Sequence, residues 1–123
     1  MSPIDIFDIA GTVLWVIALA IMAGASRTGF RQIPKGVPVP MLWDNKRVVI
    51  WRAPRTLGLI LTPTIAFFAG IPLMYLAKMA PDVEQAVIWF GVRATLAPLI
   101  AVAHLGHLRR AIQTLGAEGR LTP

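Results

Sequence analysis

The chain has 123 residues, of which 56% are hydrophobic and only 15% are charged, with a formal net charge of +6. A soluble globular domain has about 25% charged residues, and a chain this short cannot bury so much apolar surface in one core. A mean hydropathy of +0.67 therefore favours a lipid bilayer as the surroundings. Because the sequence has no cysteine, it excludes disulfides, thiolate metal sites and a cysteine nucleophile.

The first apolar segment covers approximately residues 9–25. A membrane-spanning helix needs about 20 mostly apolar residues, so this segment is predicted to be the first transmembrane helix. Asp5 and Asp8 precede it and Arg27 follows it, which places acidic groups at one end of the helix and a basic group at the other.

A long basic loop, residues 26–56, follows the first span. Prolines exclude a helix from its first half. The turn signal Asp44-Asn45 lies between two β-prone stretches, Val37–Trp43 and Arg47–Trp51, which fits a small hairpin. An amphipathic segment in the membrane interface fits the same residues. In both interpretations the loop lies on the membrane surface, with tryptophans in the interface and arginines on lipid headgroups: Trp43, Arg47, Trp51 and Arg52.

Proline steps in this loop carry a resemblance to a known family. The residues concerned are Ile33-Pro34, Val37-Pro38-Val39, Trp43, Asn45-Lys46, Ala53-Pro54 and Pro63. This pattern resembles the first loop of SdpI-like membrane proteins, in which a Pro-x-x-(Ile/Val)-Pro-(Ile/Val) segment lies between the first two helices. The resemblance implies a small bacterial membrane protein acting in toxin immunity or signalling. Pro40 stands where that family often has a histidine, and no catalytic residue carries over.

Two further apolar segments cover approximately residues 57–77 and 86–107. The short connection between them contains the turn residues Pro81 and Asp82. The two spans are therefore predicted to form a tight antiparallel pair of helices.

Small residues and prolines interrupt these apolar segments. Four pairs have the small-xxx-small spacing that lets helices approach closely: Ala20 and Gly24, Ala66 and Gly70, Gly91 and Thr95, and Ala97 and Ala101. Prolines inside a helix each free one backbone carbonyl, and they occur here at Pro63, Pro72 and Pro98. Two interpretations fit the prolines: kinks that shape a packed bundle, or a hinge and ion-lining carbonyls.

Arg93 is the most distinctive single residue, because it lies about seven residues, or ~10 Å, inside the third span. A charge at such depth costs about 2.5 kcal/mol or more and marks a candidate functional residue. One interpretation has Arg93 reaching outward to Asp8, to Glu84 or to lipid phosphate. The other has it binding an anion, a quinone carbonyl or the carboxylate of a partner subunit.

His104 and His107 lie three residues apart near the end of the third span and are predicted to share one helix face. A helix C-terminus favours histidine through its dipole, so an interfacial position explains them without a ligand. They are also the candidate cofactor-binding residues, since one histidine suffices to contact a haem or chlorin pigment held by a partner. The sequence requires no cofactor and predicts no metal site.

Lys and Arg are concentrated in the first loop and the C-terminal tail: Arg27, Arg31, Lys35, Lys46, Arg47, Arg52, Arg55, Arg109, Arg110 and Arg120. Basic loops stay in the cytoplasm. The pattern therefore predicts a single-domain, all-α integral membrane protein with three transmembrane helices, the N-terminus outside and the C-terminus cytoplasmic. The predicted location is the bacterial inner membrane, and the positive charge is assigned to anionic lipid rather than to nucleic acid.

These features predict a small non-catalytic accessory or assembly subunit of a larger membrane complex. Its predicted partners are the lipid bilayer and either other membrane subunits or a second copy of the chain. The alternatives are a small oligomeric transporter or channel and an SdpI-like immunity or signalling protein. An enzyme is not predicted, because the acidic residues and the histidines fall mostly on opposite sides of the membrane.

Overall fold

The computed structural model describes residues 1–122. Its elements, in chain order, are α1 (Pro3–Gln32), β1 (Val39–Trp43), β2 (Val49–Ala53), α2 (Arg55–Lys78) and α3 (Val83–Ala117). All three helices are long and apolar enough to cross a membrane, and each continues beyond its predicted span. The structure is mostly helical, as predicted, and the two short strands are its departure from an all-α fold.

Local sequence explains where the helices begin. Ser2 and Asp5 form a capping box at the start of α1, with a proline at the first helical position. Asp82 caps α3 by accepting a hydrogen bond from the backbone N–H of Gln85 at 2.9 Å. The end of α1 is held by Arg55, whose Nε donates to the carbonyl of Ile33 at 2.7 Å.

The two strands form an antiparallel hairpin, one of the two structures that the loop sequence allows. Its turn is built by Asp44, whose carboxylate accepts from the backbone N–H groups of Lys46 and Val48, both at 2.8 Å. Arg47 occupies the left-handed region with φ 63°. This is the position at which such a turn usually carries glycine. The turn formed by these residues therefore favours the hairpin over the amphipathic interfacial segment.

Each helix contributes one buried stripe to the bundle. The stripe of α3 has the spacing of a single helix face and comprises Arg93, Ala97, Ala101, His104, Leu108, Ala111 and Leu115. One core lies among the helices around Trp15, Met22 and Ala66. A second core lies where the hairpin meets the helix ends and includes Val39 and Leu59.

The two ends of the bundle differ in charge. Every Lys and Arg except Lys78 and Arg93 lies at the end formed by the C-termini of α1 and α3, the hairpin and the start of α2. The backbone N–H of Thr122 donates to the carbonyl of Gln32 at 2.8 Å, so the tail is tied to this same end. We call it the basic end.

Candidate functional site

Arg93, the predicted partner or anion contact, meets Asp8, one of the acceptors predicted for it, inside the bundle. The Arg93 Nη2 atom lies 3.4 Å from the Asp8 carboxylate and 3.1 Å from the Asp8 carbonyl oxygen. Its Nη1 atom donates to the hydroxyl of Thr12 at 2.8 Å. The Arg93 side chain is only 2% exposed. A cation in the apolar part of the bundle thus has hydrogen-bond acceptors on a neighbouring helix of the same chain.

Gly11 makes this arrangement sterically feasible. A Cβ at this position would lie 2.5 Å from the guanidinium carbon of Arg93, so only glycine lets the group pack flat on α1. The Nε atom of Arg93 is buried and has no hydrogen-bond partner within the described residues. The site therefore holds α1 against α3, but it does not use every donor of the arginine.

A second link joins α1 to α2 at Trp15. The indole N–H donates to the carbonyl oxygen of Ala66 at 3.0 Å. This carbonyl is reachable because Gly70, one turn later, has no side chain to cover it. A Cβ on Gly70 would lie 2.8 Å from Cδ1 of the indole and closer still to its nitrogen. The predicted small pair Ala66 and Gly70 is therefore a site of close helix contact.

A third link connects all three helices through Ser26. Pro63 lacks an N–H, so the carbonyl of Leu59 loses its helical partner; the Ser26 hydroxyl donates to that carbonyl at 2.6 Å. The Ser26 oxygen also lies 2.9 Å from Nε2 of His104. Since the only hydroxyl proton goes to Leu59, His104 Nε2 must be the donor. The Pro63 kink is thus stapled to both neighbouring helices.

The hairpin packs against the last turns of α3. His107 Nε2 donates to the carbonyl of Pro40 at 3.1 Å, and Trp43 donates its indole N–H to the hydroxyl of Thr114 at 3.3 Å. The guanidinium of Arg110 stacks over the Trp43 ring at 5.0 Å from the centroid. These contacts fix the loop to the bundle, so it does not hang freely from the helix ends.

An ion pair completes this attachment. Arg52 on β2 donates two hydrogen bonds to the carboxylate of Glu118, at 3.1 and 2.6 Å. The bonds from Arg52 hold the pKa of Glu118 below its usual range. The pair is partly exposed, so its contribution to stability is small, but its bidentate geometry sets the orientation of the hairpin.

The predicted site residues fall into two groups. Arg93, Asp8, His104, His107, Trp43 and Arg52 all form contacts within the chain, whereas Arg47 and Trp51 of the predicted membrane-surface set are exposed. His104 and His107 do not act together: His104 lies between helices and His107 faces the hairpin. Glu84 is exposed and does not bond to Arg93.

Thr12, Ser26 and Glu118, the partners of Arg93, His104 and Arg52, were not predicted from the sequence, and neither was the bond from Trp15 to Ala66. Only Ser26 and Trp15 had a signal, since both lie at helical spacing with the small residues Gly11, Ala18 and Gly29. Within residues 1–122, no group of three or more His, Cys, Asp and Glu side chains is placed to hold a metal ion.

Comparisons of the chain with protein-family models, with curated proteins and with solved structures return no match. The resemblance of residues 33–63 to SdpI-like proteins therefore stays a prediction.

Proposed function

We propose that the three helices span the bacterial inner membrane with the basic end in the cytoplasm and the N-terminus outside. The support is the distribution of charge, because positively charged segments resist translocation. In the bundle the basic groups of α1, the hairpin, α2 and α3 meet at one end. A single orientation therefore satisfies all of them.

Topology is tested by labelling. A reporter fused to the C-terminus should be active in the cytoplasm, and a cysteine replacing Ser2 should react with a membrane-impermeant reagent in intact cells. Reaction of that cysteine only after the inner face is opened would contradict the orientation.

Within this membrane we propose a non-catalytic accessory subunit of a larger complex. One observation carries the proposal: the buried polar side chains each join helices of the same chain, as Arg93 does with Asp8 and His104 with Ser26. Because these groups have their partners within the chain, the bundle is a fixed scaffold. The surface left for a partner subunit is the exposed outer face of its helices.

The outward face of α1 is the surface that suits a partner helix. It carries exposed residues at helical spacing: Val13, Ile17, Ala20 and Gly24. A Cβ on Gly24 would meet nothing within 4 Å. Since lipid supplies no hydrophobic drive for helix association, close backbone approach at such small residues is the usual basis for it.

The test is gentle detergent extraction from the native host followed by native gel electrophoresis. Wild type should migrate in a large complex, and Gly24→Ile should leave that complex while remaining in the membrane. Gly91→Ile is the matched control, because Gly91 is also exposed with open space around it. If both variants stay in the complex, the α1 face is not the interface.

A homo-oligomer in the same experiment would favour the alternative, a small transporter or channel. The specific observation behind that alternative is a crevice between α1 and α2 that is lined by Arg93, Thr12 and Phe67 and encloses about 140 Å³. An SdpI-like immunity or signalling function stays a further proposal, resting on the loop pattern alone.

A further inference from the structure

Two adjoining pockets lie between the hairpin and the last turns of α3. The larger encloses about 520 Å³ and the smaller about 410 Å³. They share three residues of their walls, Trp43, Arg110 and Gln113. Both lie where the apolar part of α3 gives way to the basic end.

Uncompensated positive charge surrounds these pockets. Arg109 lines the larger pocket and Arg47 the smaller, beside the shared Arg110. Within residues 1–122, none of these three guanidinium groups forms an ion pair, and neither pocket has Asp or Glu in its wall. Three cations without a counter-ion predict an anionic ligand.

The Trp43 ring holds one of these cations, Arg110, where it can bind a phosphate group. The Arg110 guanidinium carbon lies over the Trp43 ring, 5.0 Å from its centroid, and its N–H groups form no ion pair within residues 1–122. A guanidinium has the fork geometry that pairs with phosphate oxygens. Gln113 follows on the same face of α3 and adds an amide donor.

Part of the wall of the larger pocket is formed by small and apolar residues. These are Gly106 and Ala103, about one and two turns before the arginines, and Leu42 and Met41 of the hairpin. A Cβ on Gly106 would meet nothing within 4 Å. Small residues directly above the cations leave room for a hydrocarbon chain to continue from a bound phosphate into the membrane.

We infer that the larger pocket, which we call the hairpin–α3 pocket, is a specific site for an anionic phospholipid. The phosphate binds to Arg109 and Arg110, and an acyl chain lies along Ala103 and Gly106. Basic pockets at the cytoplasmic side of membrane helices are known to take such headgroups. The inference rests on the proposed membrane insertion but not on the proposed partner complex.

Native mass spectrometry of the purified full chain, after delipidation, tests the site. The probes are dioleoyl phosphatidylglycerol and dioleoyl phosphatidylcholine, which have the same chains and differ in net charge. The first molecule of phosphatidylglycerol should bind roughly tenfold or more tightly than the first molecule of phosphatidylcholine. Arg109→Gln with Arg110→Gln should weaken it roughly 30-fold, equivalent to about 2 kcal/mol, because both guanidinium groups that bind the phosphate are lost.

The matched control for charge is Arg27→Gln with Arg31→Gln. These residues are also exposed at the basic end, but they do not line the hairpin–α3 pocket. Their loss should change phosphatidylglycerol affinity by less than about threefold, since only the general surface potential falls. Equal losses in the two double variants, or equal binding of both lipids by wild type, would overturn the site.

A second pair of variants leaves every charge in place. Gly106→Leu fills the chain-binding part of the pocket, and the open space there allows the fold to persist. It should weaken phosphatidylglycerol binding, whereas Gly91→Leu, with equally open surroundings on the same helix, should not. Undiminished phosphatidylglycerol affinity in Gly106→Leu would refute the chain position, and displacement of the lipid by equimolar inorganic phosphate would show a small-anion site instead.

Discussion

Gly70→Ala is the substitution for which the structure gives the sharpest expectation. The new methyl group would lie 2.8 Å from Cδ1 of Trp15 and closer to its nitrogen, so the indole has to move. Movement breaks its hydrogen bond to the carbonyl of Ala66. An indole is rigid and has no flexible end that can turn aside.

The magnitude has two parts. An interhelical hydrogen bond in a membrane protein contributes about 0.6 kcal/mol on average and up to about 1.7 kcal/mol. Overpacking a close contact costs about 1–3 kcal/mol. Together they predict a loss of about 2–5 kcal/mol in the free energy of unfolding, relative to Gly91→Ala. Gly91 is the matched control, because a methyl group there meets nothing within 4 Å and the intrinsic helix preference of alanine cancels between the two variants.

The assay is reversible unfolding by SDS titration in mixed micelles, followed by circular dichroism. Trp15→Phe provides a second background, since the smaller ring has no N–H and leaves space for the methyl group. Gly70→Ala should therefore cost at least about 1 kcal/mol less in that background, as expected for coupled residues. Additive effects within about 0.5 kcal/mol, or equal stabilities of Gly70→Ala and Gly91→Ala, would refute the proposed contact.

Three further expectations follow from single contacts. Asp8→Asn should lower the unfolding free energy by about 3 kcal/mol in the same titration, because it removes the counter-ion of buried Arg93; adding Arg93→Met should restore most of it. Arg52 lowers the pKa of Glu118, so the ion pair between them is fully formed above the unfolded-state pKa of about 4.3. The pair is lost as pH falls through the lower folded-state pKa. The protection factors of the hairpin amides, measured against the intrinsic exchange rate at each pH, should thus fall in acid and should fall less in Arg52→Gln, where the pair is already absent. Arg47→Gly should raise these protection factors, since glycine relieves the left-handed φ of 63°, which costs arginine about 1 kcal/mol.

Much of the architecture could be predicted because it depends on sums over many residues. Three long apolar segments, the acidic start, the basic loop and tail, and the depth of Arg93 are all properties of the linear chain. The hairpin was one of two local possibilities, since β-prone stretches flanked a turn signal at Asp44. Hydropathy and turn chemistry act over short distances, so they are readable without a fold.

Tertiary structure alone decided which polar groups meet. Arg93 had Asp8 and Glu84 as candidates, and the choice of Asp8 depends on the rotation of α1, which lets the guanidinium pack on Gly11. The bond from Ser26 to the carbonyl freed by Pro63 joins residues far apart in sequence. Helix rotation and depth are set by the packing of all three helices together, and neither leaves a signature in the order of residues along one of them.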